Sequence, residues 1–167
     1  LLKACATTLI KISNDLRLLS SGPRGGFGEI RLPDLQAGSS IMPGKVNPVM
    51  PEMVAQVAYQ TIARDLAITL AAQGGQLELN AFLPLLAANL LPAMEELTNA
   101  MRLFAERCIS GIEANNERCR FHLENSVALI TALAPLIGYD RAASLAKQAL
   151  QADSPVKQSL LDSGLFT

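Results

Sequence analysis

The sequence carries little charge and no excess of either sign. Lysine and arginine total 14 against 15 aspartates and glutamates, for a net charge of −1 and a pI near 5.8. No basic field is present to hold nucleic acid or an anionic membrane. Cysteine is sparse. Cys5, Cys108 and Cys119 are odd in number and lack C-x-x-C spacing, which suggests a reducing compartment and thiols acting as small hydrophobes. With one histidine, His122, and no clustered carboxylates, nothing has metal-ligand spacing, and neither a metal nor another cofactor is expected. The longest uncharged run, 79–94, has 16 residues interrupted by Asn80, Pro84, Asn89 and Pro92, too short and too broken to span a bilayer. No signal peptide is recognisable in the opening Leu-Leu-Lys, so a soluble, cytoplasmic protein is expected. No stretch alternates apolar and polar residues as a half-buried strand would.

What is present is apolar and helical. Half of the residues are hydrophobic and the mean hydropathy is +0.26, rich for a free-standing monomer that must cover itself with polar groups. Leu2, Cys5, Leu9, Ile12, Leu16 and Leu19 recur at steps of three and four, predicting a helix that stops at Ser20-Ser21-Gly22-Pro23. That helix has no capping residue before it, which suggests a chain cut from a longer parent. A second helix is predicted from Pro51 to about Gln73 and a third from about Leu79 to Ile109. Between 51 and 94 only Glu52, Arg64, Asp65 and Glu78 are charged, so these helices are expected to be buried on most sides in a multi-subunit bundle. The third helix carries the stripe Met94, Leu97, Met101, Phe104 and Cys108. After an Asn-rich turn at 111–116, shorter helices are predicted over 117–135, 139–152 and 155–163, the last capped by Ser154 with Pro155 in its first turn. The fold class is all-α: long bundle helices over 1–110, then a small, truncated helical C-terminal domain over 111–167.

Residues 22–50 form a long connection between the first two helices, and loops of that length are usually functional or disordered. Its apolar anchors favour order. Within it stands GSSIMPGKVNP, residues 38–48. Gly38 to Lys45 superficially resembles a phosphate-binding loop. However, five residues separate the glycines, Val46 stands where a magnesium-binding Ser or Thr is required, and no apolar strand precedes it. Taken as chemistry, Lys45 and Asn47 can aim a cation and an amide at one small anion, and a carboxylate accepts both. At about 4 Å and an effective dielectric near 20, the lysine supplies on the order of 4 kcal/mol before desolvation. Gly38 and Gly44 let backbone N–H groups approach a ligand closely. Ser39, beside a lysine and converging amides, is a candidate base or nucleophile. The competing reading is an ordinary turn with a solvated lysine, since Gly-Ser-Ser and Asn-Pro are common turn formers.

The whole string, followed by Glu52, resembles the signature loop of the aspartase/fumarase superfamily. Further similarity runs from NDLRLLSSGPRGG (14–26) to SGIEANNERC (110–119). That resemblance implies a homotetrameric all-α lyase that removes ammonia, water or an amine from a succinyl group. The flanks LPDLQAGSS (32–40), NPVMPE (47–52) and GGQLELN (74–80) resemble the aspartate ammonia-lyase branch more than the fumarate hydratase branch. It implies Ser39 as the base that takes the C3 proton of a small dicarboxylate substrate such as aspartate. Lys45, Asn47 and the backbone amides near Ser40, Ile41 and Met42 would hold the carboxylate. Glu52 matches the acidic residue that pairs with a histidine from another subunit in the fumarase branch; a helix N-terminal carboxylate favoured by the macrodipole is the other reading. His122 reads as a surface or satisfied side chain. A third reading, of a different class, is a non-catalytic helical oligomerisation module.

The superfamily builds each active site from three segments of three subunits, and only the third is recognisable here. Residues 1–167 alone are therefore expected to release neither ammonia nor fumarate from aspartate; release of either by the purified segment contradicts the expectation.

Overall fold

The computed structural model describes residues 1–36, 38, 41–152 and 155–162, with the side chains of Ser159 and Asp162 excepted. It divides into two compact units, Leu1–Ala114 and Asn115–Thr167. The predicted cap Ser154 lies outside the described residues.

The first unit is built on three helices: α1 (Leu2–Leu19), α2 (Val49–Gln73) and α3 (Leu83–Arg107). α2 packs along both of the others. α1 stops where Ser20 and Ser21 turn their backbone N–H groups onto the Leu16 and Leu18 carbonyls and the Ser21 hydroxyl also donates to Leu18 O. α2 has Pro51 in its first turn, where a missing N–H costs nothing, and ends at Gly74. The turn from α2 to α3 is fastened by Asn80. Its amide donates to the Ala71 carbonyl at 3.1 Å and its oxygen accepts the Phe82 N–H at 2.8 Å. α3 therefore begins at Leu83, four residues later than its apolar pattern predicts, and ends at Arg107 before a short 3₁₀ turn over Ile109–Gly111.

Two apolar stripes sit differently from the sequence expectation. On α1 Ile12 is exposed and Ser13 is buried in its place. On α3 Met94 and Met101 face outward, while Ala93, Leu97, Ala100 and Phe104 are buried. The core joins Ala6 and Leu9 to Val54, Ala58, Leu97, Ala100, Phe104 and Cys108. Small residues take the inner positions because closely spaced helix axes leave no room for long side chains there. The Ser13 hydroxyl is buried without a hydrogen-bond partner, a desolvation cost of about 1–3 kcal/mol.

The expectation of no strand is corrected by a two-residue ribbon. β1 (Ile30–Arg31) pairs antiparallel with β2 (Glu113–Ala114), Ile30 opposite Ala114 and Arg31 opposite Glu113. A strand of two residues is too short to show an alternating period.

In the second unit, α4 (Asn116–Asn125) and α5 (Ala128–Ile137) replace the single helix predicted over 117–135. Ser126 takes an extended conformation and its hydroxyl accepts the Ala128 N–H, which starts a new helix after two residues. α6 (Tyr139–Gln151) and α7 (Val156–Asp162) follow close to expectation. Their core is Ile130, Ala142, Ala149, Val156 and Leu160. The described residues are all-α apart from the short ribbon and an isolated bridge between Gln76 and Leu79, and no helix among them is long and apolar enough to cross a membrane.

α2 and α3 are also joined by charge. The Arg64 guanidinium donates to both Glu96 oxygens, at 2.7 and 2.9 Å, with the arginine side chain largely covered. These bonds lower the Glu96 carboxyl below its ordinary range and raise Arg64. A carboxyl depressed by folding stabilises the fold above its unfolded pKa, about 4.3 for glutamate, and loses that contribution as the pH falls through the folded value. Arg64→Met should lower the urea midpoint most near neutral pH, with the difference from the unmodified protein shrinking as acid protonates Glu96. A difference that stays constant down to pH 3 would mean the pair does not act this way. Leu97→Ala, at a core position, should cost about 2–5 kcal/mol in the same titration at neutral pH.

Candidate functional site

The MPGK stretch within the loop has the residues of a type II turn. Proline sits at its second position and glycine at its third, where the backbone must turn left-handed. Gly44 has φ +77°, and the Lys45 N–H donates to the Met42 carbonyl at 3.3 Å. That turn folds the chain back so that Lys45 meets Gly38. The Gly38 N–H donates to the Lys45 carbonyl. A Cβ at residue 38 would collide with that same carbonyl, so only glycine fits there.

Asn47 closes the loop from the other side. Its amide nitrogen donates to the Gly38 carbonyl at 3.0 Å. Its own carbonyl accepts the Val49 N–H at 2.8 Å, and Pro48 O accepts the Glu52 N–H at 3.2 Å as α2 begins. The loop base is thus continuous with the start of α2.

The predicted site residues fall as follows. Lys45, Asn47 and Gly38 are brought together at the loop base. Ser39 and Ser40 lie outside the described residues. Ile41 and Met42 are exposed, Ile41 at 86%. Lys45 is exposed and Asn47 half-buried, so an ammonium and an amide are both within reach of solvent. Glu52 stands in the first turn of α2, where the helix dipole favours a carboxylate. It also lies 3.9 Å from the Arg17 guanidinium in the last turn of α1, a partner the sequence reading missed. The only trace of it in the sequence is a basic residue placed at the C-terminal end of a helix. His122 is in α4 of the second unit, its ring edge-on to Phe121 at 5.8 Å. Among the described residues no three His, Cys, Asp or Glu side chains group as metal ligands would.

Chemically, the described part of the loop offers a cation and a side-chain amide, a combination suited to a small anion carrying a carboxylate; the Gly38 N–H, expected to face a ligand, is instead taken by the Lys45 carbonyl, and only Gly44 stands in open space.

A family described as lyase matches residues 1–63, and one described as fumarase C C-terminus matches residues 129–167. The chain is 53% identical over 166 residues to an aspartate ammonia-lyase of Pseudomonas canavaninivorans, covering 99% of this chain and 35% of that protein. It is 51% identical over 165 residues to a class II fumarate hydratase of Mycobacterium tuberculosis, again covering 99% and 35%. Among solved structures it superposes on a fumarate lyase:delta crystallin of Brucella melitensis bound to cobalt, with a TM-score of 0.90 and 59% identity over 99% of this chain and 36% of that one. A class II fumarase of Schistosoma mansoni gives a TM-score of 0.91 at 41% identity, covering 99% and 34%. The chain spans about a third of the length of the curated relatives it matches.

Proposed function

Because the chain belongs to the aspartase/fumarase superfamily of lyases, we propose that it carries the base and the anion clamp of an aspartate ammonia-lyase. The observation that supports this reading is the closed loop base, in which the Lys45 backbone and the Asn47 side chain are both tied to Gly38 just ahead of α2. In the proposed reaction the Ser39 hydroxyl, held as an alkoxide, takes the C3 proton of L-aspartate. The electron pair moves into the adjacent carboxylate as an enediolate, then returns to form the C2–C3 double bond as the C2–N bond breaks. Ammonia leaves and fumarate remains. Lys45, one amide N–H of Asn47 and the backbone amides near Ser40, Ile41 and Met42 meet the extra charge. Each preplaced donor of this kind is worth about 2.7–4 kcal/mol in the transition state.

Glu52, 3.9 Å from Arg17, stands beside the loop in the first turn of α2 and completes the site. The glycine-punctuated loop closes over the substrate and excludes water. The choice of aspartate rests on the flanking segments LPDLQAGSS, NPVMPE and GGQLELN. The near-equal identity to a fumarate hydratase favours a second reading, hydration of fumarate to malate on the same loop. The protein acts as a cytoplasmic homotetramer, in which Tyr59, Leu66, Leu70, Leu83, Leu91 and Met94, exposed on α2 and α3, are covered by other copies.

The full-length enzyme given L-aspartate or L-malate should form fumarate from aspartate, and fumarate from malate alone would replace the first reading by the second. Ser39→Ala should lower kcat by about 10²–10⁴-fold with the assembly intact on sedimentation. Lys45→Ala should lower kcat/KM and weaken succinate binding together. Near-normal turnover by Ser39→Ala removes the serine from its role.

A further inference from the structure

The second unit carries a groove of its own. α4, α5 and α7 meet around a cavity of about 450 Å³, within the roughly 300–1,000 Å³ typical of small-molecule pockets. Leu160, part of this unit's core, lines it from α7, and Leu123, Leu129, Leu133 and Leu161 add to an apolar wall drawn from all three helices. Leu123 and Leu161 stay exposed to water. Among the described residues only two charged side chains line the groove, Glu124 of α4 and Lys157 of α7. They are joined to each other, the Lys157 ammonium donating to Glu124 Oε1 at 2.6 Å. Both are partly exposed, and an ion pair so placed adds little to stability.

We propose that this groove binds an apolar α-amino acid, with its carboxylate on Lys157, its ammonium on Glu124 and its hydrocarbon side chain against the leucines. The groove presents one charge of each sign side by side, and an α-amino acid carries the matching two on a single carbon. Its entry exchanges one ion pair for two. A simple carboxylic acid would satisfy Lys157 but set a second negative charge against Glu124, and an alkylamine has the converse fault. A polar side chain would be buried among leucines without a hydrogen-bond partner, which disfavours it. The site lies wholly within the second unit and does not rest on the lyase reading.

The test titrates the full-length protein calorimetrically with L-leucine and, in separate runs, with glycine, N-acetyl-L-leucine and L-leucine amide. L-Leucine should bind. The other three lack the side chain, the ammonium and the carboxylate respectively, and each should bind at least fivefold more weakly. Lys157→Ala and Glu124→Ala should each weaken L-leucine about five- to tenfold with little change in the melting temperature, which separates a binding role from a structural one. Lys157→Glu combined with Glu124→Lys keeps one charge of each sign and should restore binding to within about threefold of the unmodified protein. Absence of L-leucine binding, as when the rest of the full-length chain fills the groove, overturns the proposal. So does binding that survives both single substitutions, which would place the amino acid elsewhere, or N-acetyl-L-leucine binding as tightly as L-leucine.

Discussion

The geometry of the loop depends on where α2 begins, and α2 is fixed by small side chains. Val54, Ala55, Ala58 and Thr61 are buried along its inner face, and Ala6, Ala93 and Ala100 are buried on its neighbours. Such an interface lets helix axes approach closely, and a close-packed contact resists sliding because every shift opens voids or causes overlap. Asn47 is two residues from the first helical residue, so the loop inherits the rigidity of that packing. Arg17 reaching Glu52 from the end of α1 adds an electrostatic tie at the same end of the helix, although at 3.9 Å and half-exposed its stabilisation is modest. A scaffold of this kind gives a precise origin to a loop whose described residues 41–46 are exposed.

The same packing explains what could be read from the sequence and what could not. Helix existence was legible from a 3.6-residue period in α1 and in the second half of α3, and in α2 from a first-turn proline and a long stretch almost free of charge. The exact buried face was less so. Period alone ranks Ile12 above Ser13 and Met94 above Ala93, whereas the space between helices accepts the smaller member of each pair. The break between α4 and α5 depends on a single hydroxyl accepting one N–H, a local bond that apolar periodicity does not register. The β1–β2 ribbon is a long-range pairing of two residues with two, which leaves no local signature at all.

At the loop, glycines and proline in GSSIMPGKVNP were legible as turn chemistry, and Lys45 with Asn47 as a candidate cation and amide for an anion. The bond from Asn47 to the Gly38 carbonyl was not, because it joins residues nine apart whose proximity exists only after the type II turn has formed. Gly38 illustrates the difference. Its sequence meaning is close approach to something, and the structure identifies that something as the Lys45 carbonyl. A ligand was therefore not needed to explain that glycine, whose N–H and carbonyl are both bonded within the loop.

The near-equal similarity to an ammonia-lyase and to a hydratase has a chemical reason under the proposed mechanism. Both reactions remove a proton from C3 of a four-carbon diacid and pass through the same carboxylate-stabilised dianion. They part only at C2, where one expels ammonia and the other water. A segment that supplies the base and grips the carboxylate beside C3 handles the shared half of the chemistry, so selection on it is the same in both enzymes. Discrimination must come from groups that meet the leaving nitrogen or oxygen: a protonated amine wants acceptors, whereas a departing hydroxyl wants a proton donor. Lys45 and the amide N–H of Asn47 donate only, which suits an oxyanion and is wrong for selecting an ammonium. On the proposed reading the base and the carboxylate clamp serve both reactions, and the choice between aspartate and malate would fall to whichever groups meet the substituent on C2.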